Sequence, residues 1–281
     1  MRTNWYNKLR QGPLEVLFES YVGLVGFLLV FFWVIIALGA PFFAPFDPNE
    51  MIALFNQSPS LDHLLGTDNL GRDILSRLIY GSRPILLLSP LAVFISLVIG
   101  ALLGLISGYR GGLLDEVIMR CLDAMLAFPT LLLYMVIIAA VGASHINVVL
   151  AIVIAGIPGF ARLVRSMVLE IKEREFVQAA RLRGDSLSFI LLREILPNCS
   201  APLVVDAALR IGYAAFAIGA LGFLGLGLPP PDPDWGRMVS EGRSWIGISP
   251  WSSLFPALAI ASLVVGLNLL ADGIQETNNK P

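Results

Sequence analysis

Six apolar runs divide this chain, covering approximately 21–44, 85–108, 118–141, 146–166, 200–227 and 253–273, and they leave little room for any architecture but a membrane one. At 1.5 Å per residue, about 20 helical residues cross ~30 Å of hydrocarbon. Backbone amides find no water there, and a helix satisfies its own. Composition agrees: 56% of the residues are hydrophobic and 14% charged, against about half apolar for a soluble domain. The expected fold class is therefore all-α, a polytopic membrane protein with about six transmembrane helices. Lys+Arg 19 against Asp+Glu 21 gives a net charge of -2, so no overall basic field points to nucleic acid.

The charges inform by position. Arg2, Lys8 and Arg10 precede the first run, whose apolar core outlasts the roughly 7–15 residues of a signal h-region, so it reads as an uncleaved anchor. With the N-terminus inside, the inner segments collect Arg110, Arg120, Arg162, Arg165, Lys172, Arg174, Arg181, Arg183 and Arg193. The outer segments hold Arg72, Arg77, Arg83, Arg237 and Arg243. This asymmetry places both termini in the cytoplasm. The expected organisation is a cytoplasmic N-terminus (1–20), a first transmembrane helix (21–44), an external loop with an interfacial helix (45–84) and a core transmembrane domain (85–281). The core carries a cytoplasmic hairpin at 167–198 and an external loop at 228–252.

In the first outer loop, Thr67 or Asp68 caps an expected helix with Leu70, Ile74, Leu75, Leu78 and Ile79 on one face, suited to lie flat at the membrane surface. In the second, Pro229, Pro230, Pro231 and Pro233 with Trp235, Trp245 and Trp251 suit a rigid extended cap anchored at the lipid boundary. Gly100, Gly104, Gly108 and Gly112 recur at every fourth position and invite a neighbouring helix to close approach. Gly222, Gly225 and Gly227 do not follow the order of a dinucleotide site and are assigned to helix packing and unwinding. Ionisable groups within a span are costly, so each calls for a role. Asp206 and Arg210 stand four apart with the acid first, the favourable order for a helical ion pair. Facing a central pathway they would contact or gate a substrate; facing a neighbouring helix they would fix its register. Asp123 with Arg120, and Asp272 with Asn268, lie near the ends of their spans, where snorkelling and capping account for them.

Enzyme chemistry finds little support. His63 and His145 sit in separate loops, and no metal or triad signature assembles around them. Loop histidines of this kind are expected to be solvated. Cys121 and Cys199 read as packed thiols. The lysines are Lys8, Lys172 and Lys280; none follows a glycine, so no P-loop binds ATP in this chain. No metal-binding or cofactor-binding residues are expected.

Between two spans lies a stretch, Arg162 to Pro197, that reads as a docking platform. Phe176-Val177-Gln178-Ala179-Ala180 enters a helix stopped at Gly184, and Ser186 to Leu196 forms a second short helix stopped by Pro197. Glycine suits the left-handed position after a helix end, Asp185 or Ser186 caps the next helix, and proline ends it. As a connector it is long and apolar; Phe176, Val177 and Leu182 need a surface on which to be buried.

The chain resembles a permease subunit of the dipeptide/oligopeptide/nickel branch of ATP-binding-cassette importers, of the type usually encoded second in the operon. Four segments carry the resemblance. They are His63-Leu64-Leu65-Gly66-Thr67-Asp68 with Gly71-Arg72-Asp73, Ser76-Arg77 and Tyr80-Gly81; then Gly108-Tyr109-Arg110-Gly111-Gly112 with Asp115, Met119-Arg120, Asp123 and Ala127-Phe128-Pro129. The third is the Phe176–Pro197 loop, and the last Phe223-Leu224-Gly225-Leu226-Gly227 with Pro230, Pro233, Trp235-Gly236, Asn268 and Asp272-Gly273. The resemblance implies a type I importer permease fold whose hairpin follows an EAA-x3-G-x9-I-x-LP pattern and docks in a groove of a cytoplasmic ATPase. Ala179, Ala180, Gly184, Leu196 and Pro197 match; Gln178 replaces the leading glutamate, and Glu194 stands at the isoleucine place with Ile195 next. The implied ATPase-coupling residues are Phe176, Gln178, Ala179, Ala180, Gly184, Leu196 and Pro197. The implied partners are a second, homologous permease, two ATPases that bind ATP and Mg, and an external substrate-binding protein contacted through Arg72, Arg77, Asp234 and Trp235. Di- or oligopeptides are the expected cargo, with nickel or a metal chelate as the alternative within the branch. From other classes come a stand-alone secondary transporter, which would need inverted repeats that the sequence does not display, and a membrane scaffold recruiting cytosolic proteins.

Overall fold

A computed structural model describes residues 20–279. Arg2, Lys8 and Arg10 near the N-terminus, and Lys280 at the other end, lie outside the described residues. Among these residues the structure is helical, with one isolated bridge between Thr67 and Asp73. In chain order the helices are α1 (Tyr21–Leu38), α2 (Ala40–Phe43), α3 (Ile74–Arg110), α4 (Gly112–Leu126), α5 (Thr130–Val141), α6 (His145–Ile171), α7 (Glu175–Leu182), α8 (Leu187–Phe223), α9 (Trp235–Arg243) and α10 (Trp251–Asn279). Helices α1, α3, α6, α8 and α10 are long and apolar enough to cross a membrane, and the pair α4 and α5 makes a sixth if it counts as one span.

Three expected boundaries differ. The first run stops at Leu38, because Gly39 ends α1 with its N–H on the Ile35 carbonyl and Pro41 starts α2. The run 118–141 is broken and bent by 91°. Pro129 disfavours helical backbone at the residue before it and itself adopts an extended ψ of 125° ahead of α5. The interfacial helix is not separate: it is the start of α3, whose 37 residues extend about 55 Å, well beyond the hydrocarbon thickness. Neither Thr67 nor Asp68 caps it. Thr67 Oγ1 donates to the Leu54 carbonyl and accepts from Gln57 N–H, while Asp68 Oδ1 accepts from the N–H groups of Leu70 and Arg72. The cap is Asp73, whose Oδ2 accepts from Ser76 N–H and Oγ–H, each at 2.7 Å.

The chain divides into two compact units, one running up to Ser89 and resuming at Ala208, the other Pro90–Ala207. In the first unit α1 packs on α10 through small residues. A Cβ on Gly26 would strike the backbone of Leu269 and Leu270, and Gly23 faces Gly273. Lipid offers no hydrophobic drive between helices, so close backbone approach supplies the contact. Trp33 Nε1 donates to Ser262 Oγ at 2.9 Å across the same seam. Arg83 Nε donates to the Ala37 carbonyl at 2.7 Å, satisfying one of the carbonyls left open at the end of α1.

In the second unit Gly100, Gly104 and Gly108 receive α6. A Cβ at Gly104 would lie 2.5 Å from the Ala161 carbonyl oxygen and 2.8 Å from Val164 Cβ. Gly112 does not share this seam: its φ is +60° and it meets nothing within 4 Å among the described residues, so it serves a turn. Ser144 caps α6, accepting from Asn147 N–H. Arg165 grips Asp115 of α4 with two hydrogen bonds of 2.6 Å, and Arg162 pairs with Asp123. Arg120 is 3.9 Å from Glu116, so Asp123 finds its cation on α6 and not on its own helix.

Candidate functional site

The hairpin begins where α6 ends. Lys172 and Glu173 carry the chain to Arg174, and Glu175 at the first turn of α7 with Arg181 at its last place charges that favour the helix dipole. Arg183 closes α7, and its N–H accompanies Gly184 and Asp185 in a double-bonded stop: Gly184 N–H donates to the Arg181 carbonyl and Asp185 N–H to that of Ala180. Gly184 has φ +79° with open space around it, so glycine is required by the backbone and not by a neighbour. Ser186 then caps the next helix, its Oγ accepting from Phe189 N–H at 3.3 Å. Arg183 clamps the turn between Asp185 at 2.7 Å and Glu194 at 3.5 Å, and the hydrogen bond to Asp185 raises its already high pKa.

The second helix does not stop at Pro197. It passes through a π-helical stretch, Ile190–Ile195, and continues as α8 to Phe223. In this stretch Leu196 N–H bonds to the Leu191 carbonyl, five residues back. Proline lacks an N–H and crowds the carbonyl four residues before it, and the wider register just upstream accommodates it within the helix.

Within the hairpin, Val177 and Ala180 are fully buried and Phe176 half-buried. Ala180 therefore packs the hairpin together instead of facing outward. The outward face consists of Gln178, Ala179, Arg181 and Leu182, and Leu182 is 90% exposed. Leu196 is half-buried and Pro197 exposed. The hairpin is also tied to the end of α3. Arg181 Nε donates to Tyr109 Oη at 2.9 Å, with its guanidinium 4.7 Å from the ring centroid, and Lys172 Nζ donates to the Gly108 carbonyl at 3.0 Å.

The outer-loop residues are placed otherwise than expected. Trp235 is wholly buried and opens α9; its Nε1 donates to the Leu78 carbonyl at 2.8 Å, and its ring meets Trp33 edge-on at 4.7 Å. Asp234 is buried as the α9 cap, accepting from Arg237 N–H and, across the loop, from Leu228 N–H. Burial pushes its carboxyl above the usual carboxylate range, against the pull of those backbone donors. Arg77 is 1% exposed and donates to the Pro48 carbonyl; Arg72 joins Asp68 at 2.6 Å to Glu241 at 3.0 Å. All four are buried in this chain, where their side chains tie the loops to their surroundings. His63 is likewise not solvated but buried, 3.1 Å from Asp73. Cys121 is exposed, contrary to its reading as a packed thiol, while Cys199 is buried. Asp206 and Arg210 are both half-buried, one turn apart on α8.

Sequence reasoning missed the Asp68–Arg72–Glu241 network, since Glu241 lies 169 residues from Arg72 and no local pattern links them. It also left Asp115 and Arg165 unpaired for the same reason.

Five apolar helices long enough to cross a membrane, with a broken pair that could be a sixth and a hairpin between α6 and α8, define the class as a polytopic membrane protein. Residues 100–280 match the family described as "Binding-protein-dependent transport system inner membrane component", and the chain belongs to it. It is 41% identical to the dipeptide transport system permease protein DppC of Alkalihalophilus pseudofirmus, over 92% of this chain and 85% of that one. Against the di/tripeptide transport system permease protein DppC of Pseudomonas aeruginosa it is 41% identical over 94% and 91%. The glutathione transport system permease protein GsiD of Escherichia coli is 40% identical over 98% and 90%. Among solved structures, one of the MetNI methionine ABC transporter in inward-facing conformations superposes with a TM-score of 0.59 at 17% identity, covering 73% of this chain and 97% of that one. The fold is thus the type I importer permease fold, and the chain is the multi-pass inner-membrane permease of an ABC importer. Membership of a binding-protein-dependent system sets aside the stand-alone transporter and the scaffold.

Proposed function

We propose that this permease imports di- and oligopeptides as half of a heterodimeric pathway, with the hairpin seated on a cytoplasmic ATPase and both termini on that side. The similarity at about two-fifths identity to relatives named for dipeptides, di/tripeptides and glutathione supports this cargo over nickel. The observation that carries the coupling role is the outward face of the hairpin. Leu182 at 90% exposure, flanked by Gln178, Ala179 and Arg181, is an apolar anchor on a helix closed at its C-terminal end by the Gly184 turn. Such an anchor suits a groove in a partner. ATP and Mg would be held by two partner ATPase subunits, with this chain contributing no catalytic group, and an external binding protein would deliver the peptide. Closure of the ATPases would move the hairpins and shift the pathway between its two openings.

Leu182→Asp tests this without touching the hairpin's buried residues. Expressed with its operon neighbours and purified through a tag on this subunit, the wild-type chain should retain the ATPase subunits, and Leu182→Asp should lose at least nine-tenths of them. Full retention with normal dipeptide uptake would overturn the docking role.

A further inference from the structure

Helix α4 is held to the rest of its unit in an unusual way. Its single buried residue is Leu122, so apolar packing within this chain does little to fix it. At its start, Gly111 and Gly112 both have positive φ, +66° and +60°, and among the described residues nothing stands within 4 Å of a Cβ at either. These glycines are there for their dihedral freedom and form a joint that can turn without collision. At its other end α4 meets α5 at 91°. What fastens this rod is charge: the Asp115 carboxylate takes both prongs of the Arg165 guanidinium at 2.6 Å, and Asp123 pairs with Arg162 two turns further on. Both arginines stand on α6, the helix that leads directly into the hairpin. The hairpin itself returns to the last turn of α3, through Arg181 on Tyr109 and Lys172 on the Gly108 carbonyl, two to three residues before the joint.

We infer that Asp115 and Arg165 are positioning residues for transport: their two-pronged ion pair makes α4 follow the hairpin, so that force applied at α7 turns α4 about the Gly111–Gly112 joint. The inference rests on the proposed docking of α7. The Arg181–Tyr109 contact is the second tie of the same linkage, holding the near side of the joint while α4 swings on the far side. A two-pronged arginine–carboxylate contact suits this task because it transmits orientation as well as position, which a lysine point charge cannot.

The test uses the whole importer, this permease with its partner permease, ATPases and binding protein, in liposomes with dialanine inside the binding protein. Two quantities are read: basal ATP hydrolysis, and dialanine taken up per ATP hydrolysed. For Asp115→Asn and Arg165→Gln, hydrolysis is expected within about twofold of wild type while uptake per ATP falls at least tenfold. The exchanged pair, Asp115→Arg with Arg165→Asp, is expected to recover at least a third of the lost coupling. Tyr109→Phe, which keeps the ring and removes only the hydroxyl that Arg181 meets, is expected to lower uptake per ATP two- to fivefold. Unchanged uptake per ATP in the single variants would overturn the inference, as would a proportional fall in hydrolysis, uptake and assembled complex, since that marks a merely structural pair. Should Asp115→Asn not assemble, Arg165→Lys retains the charge without the fork, and normal coupling in it would equally overturn the inference. A wild-type chain that retained no ATPase would instead overturn the proposed function, and this inference with it.

Discussion

Replacing Asp234 by alanine should loosen the loop that follows α8, and the size of the effect can be worked from its contacts. The carboxylate accepts Leu228 N–H through Oδ2 at 2.9 Å and Arg237 N–H through Oδ1 at 3.1 Å. Leu228 is fully buried, so without its acceptor this N–H is orphaned away from water, which costs about 1–3 kcal/mol. Loss of the cap on α9 adds about 0.5–2 kcal/mol. Against this stands relief of a carboxylate that burial disfavours. The balance is a loss of about 2 kcal/mol, or roughly 4–8 °C in Tm at roughly 2–4 °C per kcal/mol. Thermal unfolding in detergent, followed by size exclusion of the surviving protein, measures it. Asp234→Asn keeps the shape and one acceptor oxygen, and should fall between the two. The comparison also has a pH signature. Because the folded carboxyl holds its proton at higher pH than the unfolded one, the native state binds more protons between the raised value and the ordinary carboxylate value near ~3.9. Stability from this group therefore rises on acidification through that window, and the Tm gap between wild type and Asp234→Asn should widen as pH falls from about 7 to about 4. A gap that narrows, or an alanine variant within ~1 °C of wild type, would refute the reasoning.

Two further outcomes separate the glycines and the thiols. Gly104→Ala places a methyl against the Ala161 carbonyl and Val164, forcing α3 from α6, and should destabilise by about 1–3 kcal/mol. Gly112→Ala meets no neighbour and should cost only about 1–2 kcal/mol, from its positive φ; equal retention of structure by both variants in thermal unfolding would contradict the packing account. Cys121 is exposed and should react with a maleimide in the folded, detergent-solubilised protein, whereas buried Cys199 should react only after unfolding, which mass spectrometry of the labelled peptides would settle.

Much of the hairpin was legible because its signals are local. Gly184 in a left-handed backbone and Ser186 on a helix start are decisions made within a few residues, and the structure places both where the pattern did. The end of the second helix was not legible, since Pro197 forbids an ordinary helical bond but cannot announce that a π stretch will absorb it. The outward or inward facing of Ala179 and Ala180 also escaped the sequence: adjacent alanines look alike until the second helix of the hairpin buries one of them.

By itself the sequence determined that the chain is helical and membrane-embedded, because backbone amides in hydrocarbon must be satisfied within each apolar run. It determined too that one face of α3 admits close approach, since glycines spaced by four share a helix face; that α6 fills it at Gly100, Gly104 and Gly108, and that Gly112 leaves it for a turn, was decided by the fold. Only the tertiary structure decided the fate of the charges. Arg72, Arg77 and Trp235 look like exposed loop residues in one dimension, yet each is buried and meets a partner 29 to 202 residues away: Pro48 for Arg77, Glu241 for Arg72 and Trp33 for Trp235. A polar side chain can lie in the interior only when specific donors and acceptors meet it there, and those meetings are made by the folded chain as a whole.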